Sequence, residues 1–162
     1  MTETKAKGAA KLQLNLILNT RRLKEAENAM KYELAKSKAI IEASQDCIKI
    51  LDLKGNILYM NKGGLEEHGF KNPEQAIGWD WVASLEKPYR AKALNCLKKC
   101  LGGASVTVDV KHLPKYSKRK WCSITLAPIK VGGEVVRVLA ISRDITLRKK
   151  MEEKLKARIR GD

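Results

Sequence analysis

The chain has 162 residues, 44% of them hydrophobic and 31% charged, and a formal net charge of +15. That is material for one domain with a modest core and a good deal of exposed helix. No run reaches the roughly 18 apolar residues of a membrane span and no signal-peptide pattern is visible, so the reading is a cytoplasmic protein without a membrane span. The positive excess is spread along the whole sequence. With a single Phe and no aromatic-basic array, nucleic acid is not expected as a partner; a nucleic-acid-associated regulator using its basic surface is the alternative reading.

Residues 9–44 hold no Pro and are rich in Ala, Leu, Lys and Glu, the composition of a helix. Leu16, Leu23 and Met30 recur every seven residues and Leu34 and Ile41 follow, a heptad seam interrupted by Asn19, Thr20 and Glu27. The seam predicts a coiled-coil linker and a homodimer through helices. CIKILD (47–52) and ILYMN (57–61) are β-prone runs joined by Leu53-Lys54-Gly55-Asn56, which predicts a hairpin. Lys49 is expected to point outward, with Ile48 and Ile50 buried.

A broken helical region follows. Asn72-Pro73-Glu74-Gln75 has a cap, a proline for the first turn and a glutamine to complete a capping box. Pro88 opens a longer helix with Leu94, Leu97 and Leu101 as its apolar stripe, ended by Gly102-Gly103. Three strands come last. Val106, Val108 and Val110 share a face of the first, KWCSITLAPIK is the second, and Val136, Val138, Ala140 and Ser142 alternate with Arg137, Leu139, Ile141 and Arg143 on the third. The run Lys115–Lys120 reads as a solvated hairpin tip. The fold class is α+β: a five-stranded antiparallel sheet with small helices on one face, flanked by N- and C-terminal helices.

Asp52-Leu53-Lys54-Gly55-Asn56-Ile57 followed by Asn61, then Leu65, Gly69-Phe70 and Gly78, and finally Asp144-Ile145-Thr146, resemble the landmarks of a PAS domain, in order and at the right separations. The resemblance covers roughly residues 38–150. It implies a division into an N-terminal amphipathic linker helix (1–45), a PAS domain (46–146) and a C-terminal linker helix (147–162). It further implies a sensory and dimerisation module between signalling helices, of the kind found in histidine kinases of two-component systems. Any kinase activity would then lie in a separate output domain. Asp144 and Thr146 would clamp the outgoing helix to the sheet and carry the signal.

The resemblance also implies a pocket for a small-molecule ligand, for which Ile50, Met60, Trp79, Trp81, Leu94, Trp121, Leu126, Val138 and Ala140 are the candidate lining. Its ligand is unknown. Haem is disfavoured because the long helix PYRAKALNCLKKCL has no histidine, and covalent flavin because GWDWVASLE has no cysteine. No metal is assigned, since Cys47, Cys96, Cys100 and Cys122 include no Cys-x-x-Cys pair and read as reduced core thiols. The chain is not expected to be an enzyme. It has no nucleophilic triad and no phosphate loop, and Glu66 and Glu67 are neighbours on a helix and must diverge.

Overall fold

The computed structural model describes residues 2–118 and 121–161, and the chain divides into two units, 1–40 and 41–162. Helix α1 (Thr2–Ala43) runs through the first of these. Its surface is laced by pairs one turn apart, such as Arg21–Glu25 at 2.9 Å and Lys31–Glu27 at 2.6 Å, which support an exposed helix. Leu16, Leu23, Met30 and Leu34 all lie exposed within this unit.

The second unit is an antiparallel sheet of β1 (Cys47–Leu51), β2 (Ile57–Met60), β3 (Val106–Lys111), β4 (Trp121–Val131) and β5 (Glu134–Asp144). Its order is β2-β1-β5-β4-β3, so the last strand made becomes the centre. The β1–β2 turn forms around Asp52. Its Oδ1 accepts from the amides of Lys54 and Asn56 at 2.9 and 2.8 Å, while Gly55 takes φ 92°, which a glycine adopts without strain. Between β2 and β3 come α2 (Lys62–His68), 3-10 turns at Pro73–Gln75 and Trp81–Ser84, and α3 (Lys87–Leu101). Asn72 caps as expected, its Oδ1 accepting from the Gln75 amide, but Gln75 Oε1 reaches back one residue further than in a capping box, to the Lys71 amide. Helix α4 (Thr146–Arg160) leaves the end of β5.

One core lies between the sheet and these helices. Leu51, Ile57, Trp81, Leu85, Leu97, Val108, Val110, Ile124, Leu126 and Val138 belong to it. Strand β1 reverses the expected parity. Cys47, Lys49 and Leu51 are the buried set, with Lys49 1% exposed, and Ile48 and Ile50 lie on the other face. The run Cys-Ile-Lys-Ile-Leu has apolar residues on both of its faces, so alternation alone cannot choose between them. Pairing does choose. Lys49 sits opposite Ala140 and Leu51 opposite Val138, both of which face the core. In α3 the buried stripe is Ala93, Leu97 and Cys100, rotated from the predicted one, and Leu94 is half exposed. The β3–β4 loop is not a solvated tip throughout, because Ser117 is buried; Arg119 and Lys120 lie outside the described residues.

Candidate functional site

Two polar joints tie the flanking helices to the sheet. At the entrance, Asn61 is fully buried. Its Oδ1 accepts from the amides of Ile48 and Gly64 at 2.9 and 3.0 Å, the second of these capping α2. Its Nδ2 donates to the carbonyls of Ile41, Ser44 and Asp46 at 3.0–3.3 Å. The last turn of α1, the first residue before β1 and the start of α2 are therefore held by one side chain. Gly64 is needed here for space: a Cβ on it would meet Cys47 Sγ and Met60 Cγ at 2.6 Å. Glu42 completes the joint, accepting from Tyr59 Oη and from the Lys62 amide. Burial, then the hydrogen bond to Glu42 and its charge, push the Tyr59 pKa up to about 12.

At the exit, the Thr146 amide donates to Asp144 Oδ1 at 2.8 Å. Thr146 Oγ1 accepts from the Trp121 amide at 3.1 Å, and the Ile145 amide donates to the Trp121 carbonyl at 3.0 Å. The predicted pair thus stands where β4, β5 and α4 meet. A second tie was not foreseen. Asp109 on β3 accepts from Arg148 at 2.6 Å and lies 3.0 Å from Lys149. Burial works to raise the Asp109 pKa, but hydrogen bonds from Lys149 and Ser123 and the charges of Lys149 and Arg148 hold it below the ordinary carboxylate value.

Of the candidate pocket residues, Met60, Trp81, Leu126, Val138 and Ala140 are buried in one continuous core, and Trp79 packs against it. Three others are placed elsewhere. Ile50 lies on the outer face with the reversed parity of β1. Leu94 borders a surface recess beside Gly55 and Trp81. Trp121 alternates with buried Cys122 and meets the Tyr89 ring and the Lys149 ammonium instead.

The core also holds a polar cluster. Glu67 Oε1 accepts from Ser117 Oγ at 3.0 Å and lies 3.8 Å from both Cys122 Sγ and His68 Nε2. His68 Nδ1 is 2.6 Å from the Tyr116 carbonyl, and His112 Nδ1 is 3.2 Å from Ser84 Oγ. The His68 and His112 rings stand 5.7 Å apart, and Trp79 closes over His68 at 5.1 Å. Lys49 is buried with them.

Residues 41–150 match the family model described as PAS fold. The chain belongs to the PAS-domain family. Solved PAS structures share its fold. The PAS domain of an HTR-like protein from Haloarcula marismortui is 22% identical, with a TM-score of 0.59 over 75% of this chain and 99% of that one. A domain of a sensory box sensor histidine kinase/response regulator from Geobacter sulfurreducens is 19% identical, with a TM-score of 0.58 over 71% and 96%. The PAS domain of a protein from Colwellia psychrerythraea is 26% identical, with a TM-score of 0.52 over 70% and 97%. No curated protein matches the sequence.

In this PAS domain the polar cluster is what sequence reasoning missed. Its members come from α2, the start and end of the β3–β4 connection, and β4, up to 55 residues apart. A signal was present: His68 and His112 are the two histidines of the chain, and Glu67 adjoins one of them. Glu66 and Glu67 diverge as expected, Glu66 to solvent and Glu67 inward.

Proposed function

We propose that this chain is a non-catalytic sensory and dimerisation module of a histidine-kinase-type, two-component pathway, in which small-molecule or partner binding to the PAS domain changes how the flanking helices are held. The output kinase or other signalling domain would be a separate one, and the setting cytoplasmic. The observation that carries this reading is the exit joint. Backbone amides of β4 and α4 share one threonine and one aspartate, with no loose residue between strand and helix. A shift of β4 against β5 must therefore move the first turn of α4. A stimulus transmits only if it binds two such arrangements unequally.

The test is a fusion of residues 1–162, in register, to a histidine-kinase core. Asp144→Ala removes the acceptor of the Thr146 amide. It should change basal autophosphorylation several-fold while the melting temperature and secondary structure stay near those of the unmodified fusion. Unchanged output in a folded variant would show that the joint carries no signal.

A further inference from the structure

We propose that Glu67, His112 and Cys122, with His68 as fourth donor, form a buried binding site for one divalent transition metal ion of the zinc class. This goes beyond the sensory reading and does not depend on it. The donor atoms of Glu67, His112 and Cys122 lie within 4.8 Å of one another, and all three residues are buried. Zinc bonds of about 2.0–2.3 Å place two donors of one tetrahedral ion about 3.3–3.7 Å apart. Glu67 Oε1 is already 3.8 Å from Cys122 Sγ and 3.8 Å from His68 Nε2. Glu67, His112 and Cys122 must close from separations of up to 4.8 Å, and His68, whose donor lies with those of Cys47 and Glu67 instead, must turn further to join them.

The surrounding hydrogen bonds set both imidazoles for ligation. A carbonyl can only accept, so His68 Nδ1 carries its proton toward Tyr116. Ser84 Oγ donates to the Trp81 carbonyl at 2.6 Å, so it accepts from His112 Nδ1, and in the neutral His112 ring the lone pair lies on Nε2. That His112 Nε2 is buried and has no hydrogen-bond partner among the described residues, and it is open to an ion. Ser117 Oγ donates to Glu67 Oε1, the oxygen that also lies nearest Cys122 and His68. Metal-bound histidines and carboxylates are commonly oriented in this way.

Mixed N, S and O donors suit zinc rather than calcium or magnesium, which take oxygen. A cleft of about 140 Å³ lined by Glu86, His112, Pro114, Ser117 and Lys118 reaches His112 from the surface and provides an entry path.

The experiment is a cobalt and zinc titration of the chelator-stripped full chain. One Co²⁺ should bind with a thiolate-to-metal charge-transfer band and tetrahedral visible bands. Zn²⁺ should displace it, and binding should release the Cys122 thiol proton. Cys122→Ser should abolish the charge-transfer band. His112→Gln should weaken zinc binding by at least about ten-fold, and Cys96→Ala should change neither. If the Cys122 or His112 variant fails to fold, X-ray absorption on the zinc-loaded unmodified chain decides: one sulfur with nitrogen and oxygen neighbours supports the site, and any other shell contradicts it. Absence of a one-to-one complex, or full retention of affinity and band in folded Cys122→Ser and His112→Gln, would overturn the proposal.

Discussion

Asn61 is fully buried and makes five side-chain hydrogen bonds to backbone groups. A buried amide with all its groups satisfied stabilises, and its loss leaves backbone groups stranded in the core. Asn61→Ala removes both the α2 cap and the ties to residues 41–46. It should cost more than about 2 kcal/mol, summing a lost cap of about 1 kcal/mol and the stranded carbonyls, and urea denaturation would measure it. A cost below about 0.5 kcal/mol would mean that the joint is not held by this side chain. Asn61 was legible in the sequence as part of a motif, but its partners were not, because they lie up to 20 residues away along the chain. Lys49 shows the opposite failure. A lysine in a strand is read as solvent-facing because burying its charge is costly, yet strand pairing sets the parity of the whole strand, and Cys47 and Leu51 take it inward with them.

Among the elements, turns and caps were readable because they depend on neighbours in sequence. The Asp52 turn, the Asn72 cap, the strand limits and the inward faces of β3 and β5 all follow from local chemistry. The face of α3 did not. Of the leucines chosen from the sequence, Leu97 is buried and Leu101 packs against the core, while Leu94 is exposed and Ala93 and Cys100 complete the buried stripe. The contact between α4 and β3 through Asp109 was also invisible, being 39 residues long in sequence.

That contact makes a pH prediction. The Asp109 carboxyl has a folded pKa below its unfolded value. Its stabilisation is therefore complete above the unfolded pKa, about 3.9, and is lost as the pH falls through the folded one. Asp109→Asn should be less stable than the unmodified chain at pH 7. The gap should narrow below about pH 4, read as denaturation midpoints across the acid range. A gap that stays constant with pH would show that the charge of Asp109 contributes nothing.

At the scale of the molecule, the domain was legible and its surfaces were not. The order of strands and helices, with landmark residues at both ends, points to a PAS domain, and the family match agrees. Which surfaces meet a partner depends on exposure. Helix α4 carries Leu147, Met151, Leu155 and Ile159, 60–76% exposed and spaced four residues apart, an apolar stripe on an otherwise charged helix. Within the first unit, Leu16, Leu23, Met30 and Leu34 are likewise exposed. Such stripes call for cover, and in the dimer proposed above a second copy of the chain would supply it symmetrically. Replacing Leu155 and Ile159 together by Glu should weaken self-association at least ten-fold in sedimentation equilibrium without unfolding the PAS domain, whose core contains neither residue.

Native mass spectrometry of the freshly purified chain, set beside its denatured mass, tests the dimeric sensory module most directly. The account predicts a complex of two 18.2 kDa chains at micromolar concentration. A chain that stays monomeric under those conditions would contradict it.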